Sequence, residues 1–315
     1  MHTNDSPALD KAGQNLLDVF CAEEKLPAAY KLLAQTYFFP LAAETIEEQK
    51  ISDRNGPIII GINGSQGSGK STLALLLSQI FSSLYNKNVA NLSIDDFYKT
   101  KAERQQSATD IHPLLLTRGV PGTHDTTLLS NILKRLCAGE TEVIIPRFDK
   151  STDDRHPESA WETVHNPVDI ILLEGWCLGV RPEAQASLNI AINTLEQQED
   201  AQGTWRKHIN QTIKNDYLPI FEQLDKLIML KAPSFKCVYN WRQKQENKLR
   251  DKTISGALSS NNKSGIMSKT ELQRFIQHYE RLTVHMLATL PKYADILFKL
   301  SNDHSISERL NRDTS

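Results

Sequence analysis

Apolar residues recur along the chain in two rhythms. Over 9–50 they fall at helical spacing, with Leu9, Ala12, Leu16, Leu17 and Phe20 first and, from Pro27 onward, Leu32, Leu33 and Tyr37. This spacing predicts two helices. Pro40 and the polar stretch 47–55 close the region. Residues 1–55 are therefore expected to form an N-terminal helical extension that caps a main body over 56–305, with 306–315 as a C-terminal tail.

At Pro57 the rhythm changes. Ile58-Ile59-Ile60-Gly61-Ile62 is a continuous β-branched run interrupted by one glycine, the pattern of a strand buried on both faces of a parallel sheet. Further strands are predicted over 89–94, 143–145, 169–173, 226–230 and 294–300. Helices are predicted over 70–85, around Leu128 to Leu136, and over 205–224, 235–252 and 269–290. Strands alternating with helices imply an α/β fold, a doubly wound and mainly parallel sheet covered on both faces. The Ser-, Asn- and Gly-rich stretch 254–263 is expected to be a mobile loop and the polar stretch 184–203 a peripheral insertion.

Composition narrows the partners. A formal net charge of −2 over 315 residues gives no basic excess of the kind nucleic-acid binding requires, so none is expected. No apolar run is long enough to cross a bilayer, and the polar N-terminus lacks the layout of a signal peptide. Cys21, Cys137, Cys177 and Cys237 are far apart, which fits neither a metal site nor a disulfide framework. Reduced thiols in a cytoplasmic protein are expected.

The chemistry begins directly after the first strand. Gly64-Ser65-Gln66-Gly67-Ser68-Gly69-Lys70-Ser71 satisfies the phosphate-binding pattern G-x-x-x-x-G-K-[ST], and Thr72 continues it into the following helix. Glycines let successive backbone N–H groups turn inward, and the helix N-terminus adds partial positive charge. Lys70 is expected on the β- and γ-phosphates of a nucleotide and the Ser71 hydroxyl on Mg²⁺. The guanine-reading Asn-Lys-x-Asp is missing, since Asn247-Lys248 precedes Leu249-Arg250 and Asn262-Lys263 precedes Ser264-Gly265. ATP is therefore the expected nucleotide.

Two strand ends supply acids. Leu92-Ser93-Ile94 runs into Asp95-Asp96-Phe97-Tyr98, and Leu172-Leu173 into Glu174-Gly175-Trp176. The ends of parallel strands are where such sheets hold their sites. Transfer of a phosphoryl group to an alcohol needs a carboxylate that orients the hydroxyl and accepts its proton late. Asp95 suits that task, and Glu174 suits a place beside Mg²⁺ or its waters. Asp96 is expected nearby, with helix capping as its alternative.

Together with the P-loop, Ser93-Ile94-Asp95-Asp96-Phe97-Tyr98, Arg118-Gly119-Val120-Pro121-Gly122-Thr123-His124-Asp125, Pro146-Arg147-Phe148-Asp149-Lys150-Ser151 and Leu173-Glu174-Gly175-Trp176 occur in one order. The series resembles the D-glycerate 3-kinase family and its close relatives, within the group of phosphoribulokinase, uridine kinase and pantothenate kinase, over roughly residues 30–305. The resemblance implies a P-loop kinase fold with a helical lid over about 234–265, ATP with Mg²⁺, and a small hydroxylated acceptor. It implies Asp95 as base. Phe148 stands where that series has tyrosine.

A carboxylated acceptor such as glycerate needs a cationic clamp. Arg118, Arg147, Lys150 and Arg155 lie in motif loops and are its candidates, joined on the acceptor side by Asp96, Tyr98, His124, Asp125 and Asp149. A helix N-cap by Asp125 or Thr123 is the alternative for that turn, and His112 is a further candidate. Arg242, Lys244, Lys248 and Arg250 fall on the lid helix, where Arg242 is expected to reach the nucleotide phosphates. Trp205 and Trp241 are expected in the packing. Other acceptors (a nucleoside, pantothenate or a sugar) and a P-loop ATPase or nucleotide-binding regulator remain open alternatives.

Overall fold

The computed structural model describes residues 9–51, 56–254 and 267–312. Helices α1 (Lys11–Glu23), α2 (Ala29–Leu33) and α3 (Phe39–Ile51) lead into strand β1 (Ile58–Gly64), which is followed by α4 (Lys70–Tyr85) and β2 (Val89–Ser93). Next come α5 (Lys101–Asp110), α6 (Thr126–Cys137), the short strands β3 (Val143–Ile145), β4 (Phe148–Asp149), β5 (Asp154–Arg155) and β6 (Glu162–Val164), and then β7 (Ile170–Gly175). Helices α7 (Thr194–Glu199), α8 (Thr204–Thr212) and α9 (Leu218–Phe221) precede β8 (Lys226–Lys231). Helices α10 (Phe235–Ile254) and α11 (Lys269–Thr289) precede β9 (Ile296–Leu300) and β10 (Ile306–Asn311).

Among the described residues the main sheet has six strands in the order β10-β9-β8-β1-β7-β2. All neighbours are parallel except β10, which runs antiparallel to β9. Because successive side chains point to opposite faces, the strands divide cleanly. Ile60, Ile62, Ile170, Leu172, Ile228, Leu230 and Phe298 pack with α1, α3, α4 and α10. Ile59, Ile171, Leu173, Leu227, Met229 and Leu297 pack with α6, α8, α9 and α11. Gly61 sits where a Cβ would come 2.7 Å from Leu224 and 2.9 Å from Leu178, so that face of β1 closes only around glycine.

The N-terminal helices supply Leu17, Phe20, Phe38, Phe39, Leu41 and Ile46 to the sheet's own core. Ion pairs at their edge, Glu48 to Lys226 and Glu44 to Arg309, tie α3 to β8 and β10.

Several expectations need correction. Pro40 does not end a helix. It lies in the first turn of α3, directly after a π-helical turn over Ala34–Phe38 in which Phe39 N–H reaches Ala34 O. The wider turn absorbs the donor that proline lacks. The same device recurs where a π-turn over Ile213–Tyr217 precedes Pro219, so the helix expected over 205–224 is α8, a π-turn and α9.

Val143–Ile145 is a strand but not of the main sheet. It pairs antiparallel with β6 in a ribbon of two strands. Residues 306–311, expected as tail, form β10 on the sheet edge. The stretch 184–203 is mostly exposed, as expected of a peripheral insertion, but it is anchored inward: Leu188, Leu195, Glu196 and Asp200 are buried, and Arg281 of α11 and Arg206 of α8 hold the two acids. Its polar residues are partners of buried arginines, which composition alone reads as surface. The loop expected over 254–263 lies, past Ile254, outside the described residues, as do the side chains of Lys248 and Arg250.

Candidate active site

The loop between β1 and α4 is shaped by its glycines. A Cβ on Gly64 would lie 2.3 Å from Ser68 Oγ, and Gly67 and Gly69 have φ of 79° and 90°, a left-handed conformation that glycine adopts without penalty. The Ser68 N–H donates to Ser65 O at 3.1 Å and draws the loop into a ring at the helix N-terminus. The Ser65 and Ser68 hydroxyls are buried there without a hydrogen-bond partner. Gln66 is half-buried, and Thr72 follows half-buried in the first turn of α4.

The P-loop meets the end of β7 at Glu174. Ser71 Oγ donates to Glu174 Oε1 at 3.0 Å and Ser93 Oγ to the same oxygen at 2.8 Å. Lys70 Nζ stands 3.6 Å from Glu174 Oε2, an oxygen that is buried and accepts no hydrogen bond. Ser71, Ser93 and Glu174, with Asp96, Arg147, Asn91 and Ala74, line a cavity of about 200 Å³. Its hard oxygen donors and one unsatisfied carboxylate oxygen fit Mg²⁺, which is typically held by one or two carboxylates together with waters and phosphates. Groups of three or more His, Cys, Asp or Glu suited to a metal are absent among the described residues, so the protein alone offers no closed cage.

Opposite this corner, the Ser93 hydroxyl accepts the N–H of Asp95 at 3.3 Å and starts a 3-10 turn over Ile94–Phe97. That turn swings Asp95 and Asp96 outward from the sheet. Lys150 Nζ lies 2.7 Å from Asp95 Oδ2, and the Tyr98 hydroxyl donates to Asp95 Oδ1 at 3.0 Å. Burial alone would push the Asp95 carboxyl up, but the Lys150 and Lys70 ammonium groups outweigh it and hold the carboxyl well below the ordinary range. Tyr98 is buried and stacks on His124 with ring centres 4.4 Å apart. His124 Nδ1 in turn pairs with the Tyr217 hydroxyl at 2.6 Å. Burial lowers the His124 pKa to about 4, so this ring is neutral at physiological pH.

The candidate cations form a shell around Asp95 and Asp96. Arg147 bonds Asp96 Oδ2 at 2.9 Å and also reaches Glu162, while the Phe148 N–H donates to Asp96 Oδ1 at 3.2 Å. Arg118 pairs with Asp153 and lies over the Phe148 ring, 5.5 Å from its centre. Arg155 donates twice to Tyr98 O, at 2.9 and 3.2 Å, and reaches Asp125 Oδ2 at 3.4 Å. Asp125 also caps α6 through the N–H of Leu128 at 2.9 Å. Asp149 turns back on its own loop. Its carboxylate accepts both the hydroxyl and the N–H of Ser151, which lower its pKa to about 2.

Asp95 is thus bonded to Tyr98 and Lys150, and its neighbour Asp96 to Arg147, with Arg118 attached through the loop that carries Lys150. His124, Asp125 and Arg155 stand behind them as supports. Arg242 sits on α10, bonded to Glu246 and 5.7 Å from the centre of the Phe275 ring. His112 faces Asp200 rather than the site, at 3.7 Å, and Trp205 and Trp241 are both buried.

Sequence reasoning missed four residues. Arg104 is fully buried and donates to the carbonyls of Leu116 and Asp153, at 2.8 and 2.6 Å, so that it fastens the Lys150 loop to α5. Ser93 positions Glu174. Tyr279 donates to Arg118 O at 3.0 Å, and the adjoining Gly119, with φ of 136°, leaves room for nothing larger than hydrogen beside that phenol. His304 reaches the P-loop from the far end of the chain. The one available signal was Gly119, whose place in the Arg-Gly-x-Pro-Gly segment marks a close backbone approach.

Residues 59–208 match the model of the phosphoribulokinase / uridine kinase family. The chain is 36% identical over 253 residues to the uncharacterized kinase mug58 of Schizosaccharomyces pombe, a match that covers 77% of this chain and 86% of that one. It is 31% identical over 247 residues to the chloroplastic D-glycerate 3-kinase of Arabidopsis thaliana, covering 73% of this chain and 48% of the relative, or about half its length. Among solved structures, a D-glycerate 3-kinase from Cryptococcus neoformans is similar with a TM-score of 0.71 at 23% identity, over 89% of this chain and 99% of that one. At that identity the likeness shows the fold.

Proposed function

The chain belongs to the phosphoribulokinase / uridine kinase family and is an ATP-dependent kinase of a small metabolite, and from that membership we propose that its acceptor is D-glycerate, phosphorylated at the 3-hydroxyl. The observation that carries this reading is Asp95, a carboxylate set between P-loop Lys70 and a loop of cations. An acceptor that brings its own carboxylate suits Arg118, Arg147 and Lys150, of which Lys150 is the most exposed. Guanidinium groups recognise carboxylates in two-point fashion. A nucleoside is favoured less, because the Tyr98, His124 and Phe148 rings pack on one another rather than leaving a slot for a base. The D-glycerate 3-kinase of Arabidopsis thaliana is among the relatives.

In this reading the acceptor hydroxyl displaces the Lys150 ammonium or the Tyr98 hydroxyl from Asp95 and donates to its carboxylate. The hydroxyl oxygen bonds to the γ-phosphorus as the bond to the β–γ bridging oxygen breaks, and ADP leaves. The proton passes to Asp95 late, because a carboxylate held so acidic is a poor base for a free alcohol. Asp95 therefore acts chiefly by orienting the hydroxyl. Lys70 and the loop N–H groups neutralise charge on the phosphates, and Arg242 on α10 adds to this from the lid side. Ser71 and Glu174 would hold the magnesium ion, which supplies positive charge to the β- and γ-phosphate oxygens when bound.

Among the described residues no helix is long and apolar enough to cross a membrane, and no two of the four cysteines are joined in a disulfide. The reading is tested by presenting a panel of hydroxylated metabolites with ATP and identifying the products by phosphorus NMR. A phosphate ester on C3 of D-glycerate is expected. Preference for a nucleoside, pantothenate or a sugar would replace glycerate as the acceptor.

A further inference from the structure

The turn between β9 and β10 reaches back to the P-loop. His304 Nε2 lies 2.8 Å from Gly67 O, across 237 residues of chain. A carbonyl only accepts, so the imidazole carries its proton on Nε2 and donates. The ring is clamped on its flat side by Trp241 of α10, with centres 4.3 Å apart and planes 23° from parallel. Trp241 is itself buried, and its Nε1 donates to Asn302 O at 2.8 Å in the same turn. The turn is further closed by Ser301 N–H to Ser305 O at 2.8 Å and by the Ser305 hydroxyl to the Asp303 carboxylate at 2.7 Å. His304 adopts φ of 71° to make this approach, a conformation uncommon for a residue with a side chain.

The peptide unit that His304 grips is the vulnerable one of the P-loop. It joins Gly67 to Ser68. Rotation about the Gly67 side of it meets no Cβ, so this peptide flips more cheaply than its neighbours. In a trans peptide the carbonyl and the N–H point in opposite directions. At present both ends are fixed, the Ser68 N–H on Ser65 O and the Gly67 carbonyl on His304. A flip would break both bonds and turn the partly negative Gly67 carbonyl toward Ser65 O inside the loop, where the two oxygens repel and the ring of N–H groups opens. We infer that His304, held by Trp241, is a positioning residue that locks the Gly67–Ser68 peptide in its phosphate-receptive orientation. The lock joins the lid helix α10 and the C-terminal hairpin to the nucleotide site, and it does not depend on which acceptor the enzyme uses.

The test is ATP affinity measured calorimetrically without acceptor, in the full chain with magnesium, for wild type, His304→Gly and His304→Gln. Glycine tolerates the left-handed conformation and removes the donor. Glutamine keeps an N–H donor without the ring. His304→Gly is expected to weaken ATP binding by about threefold to tenfold, the worth of one hydrogen bond, with kcat at saturating ATP and the acceptor KM unchanged. His304→Gln is expected to recover part of the loss. Wild-type ATP affinity in His304→Gly, equal weakening in both variants, or a loss that appears in kcat instead would each overturn the inference.

Discussion

Lys150 Nζ and Asp95 Oδ2 lie 2.7 Å apart, joined across 55 residues between the loop after β4 and the turn after β2. The pair sets the protonation state of the carboxylate assigned to the acceptor hydroxyl. A depressed carboxyl contributes stability above its unfolded value, near 4, and loses it only as the pH falls through its lower folded value. Asp95 is therefore ionised throughout the neutral range, and its protonation adds no acidic limb to kcat/KM above about pH 4. In Lys150→Met the opposing effect of burial gains on the remaining Lys70 charge, and the carboxyl rises. The expected outcome is a new acidic limb at higher pH, together with a weaker acceptor KM, read from pH–rate profiles of the two proteins.

Glu174 accepts from both Ser71 and Ser93 and keeps one oxygen unsatisfied. Glu174→Gln retains the shape and removes the charge. The magnesium concentration for half-maximal turnover is expected to rise by about 10- to 100-fold, with thermal stability little changed. A magnesium titration of activity checks it.

Gly119 is where the segment carrying Arg118 touches α11. A Cβ there would sit 2.1 Å from the Tyr279 hydroxyl oxygen, at a φ of 136°. Gly119→Ala is expected to destabilise the fold by about 1–3 kcal/mol and to raise the acceptor KM, because the Arg118 carbonyl loses its bond to Tyr279. Denaturant unfolding and acceptor titration measure the two effects separately.

Arg281 pairs with Glu196 in the interior, where Glu196 is wholly buried. Removing the guanidinium in Arg281→Ala leaves that carboxylate uncompensated, at a cost of about 3–5 kcal/mol. Arg281→Met combined with Glu196→Leu is expected to restore part of the stability, since the wholly buried charge is gone and only Glu183, the second partner of Arg281, is left unpaired. Denaturant midpoints of the single and double variants decide it.

Much of this architecture was legible in the sequence because its cause is local. The run Ile58-Ile59-Ile60 reads as a buried strand, and the glycines of the P-loop leave no other use for Gly64 to Ser71. The acids after β2 and β7 follow from the same logic of strand ends. What escaped depends on partners distant in the chain. Arg104 looks like a solvated helix residue until Asp153 and Leu116 are placed around it. Glu196 and Asp200 read as an exposed polar insertion because their arginines lie elsewhere. Val143 and its neighbours carry a strand pattern that cannot say which strand they pair with. His304 sits in a stretch without periodicity, and nothing in it announces a bond to Gly67.

The central claim is tested most directly by ADP release at saturating ATP and magnesium, with and without D-glycerate, in wild type and Asp95→Asn. Release that depends on D-glycerate is predicted for wild type. A fall in kcat of about 10²- to 10⁴-fold is predicted for Asp95→Asn, with ATP binding retained. ADP release indifferent to D-glycerate and to other hydroxy acids, or an Asp95→Asn enzyme as fast as wild type, would contradict the account.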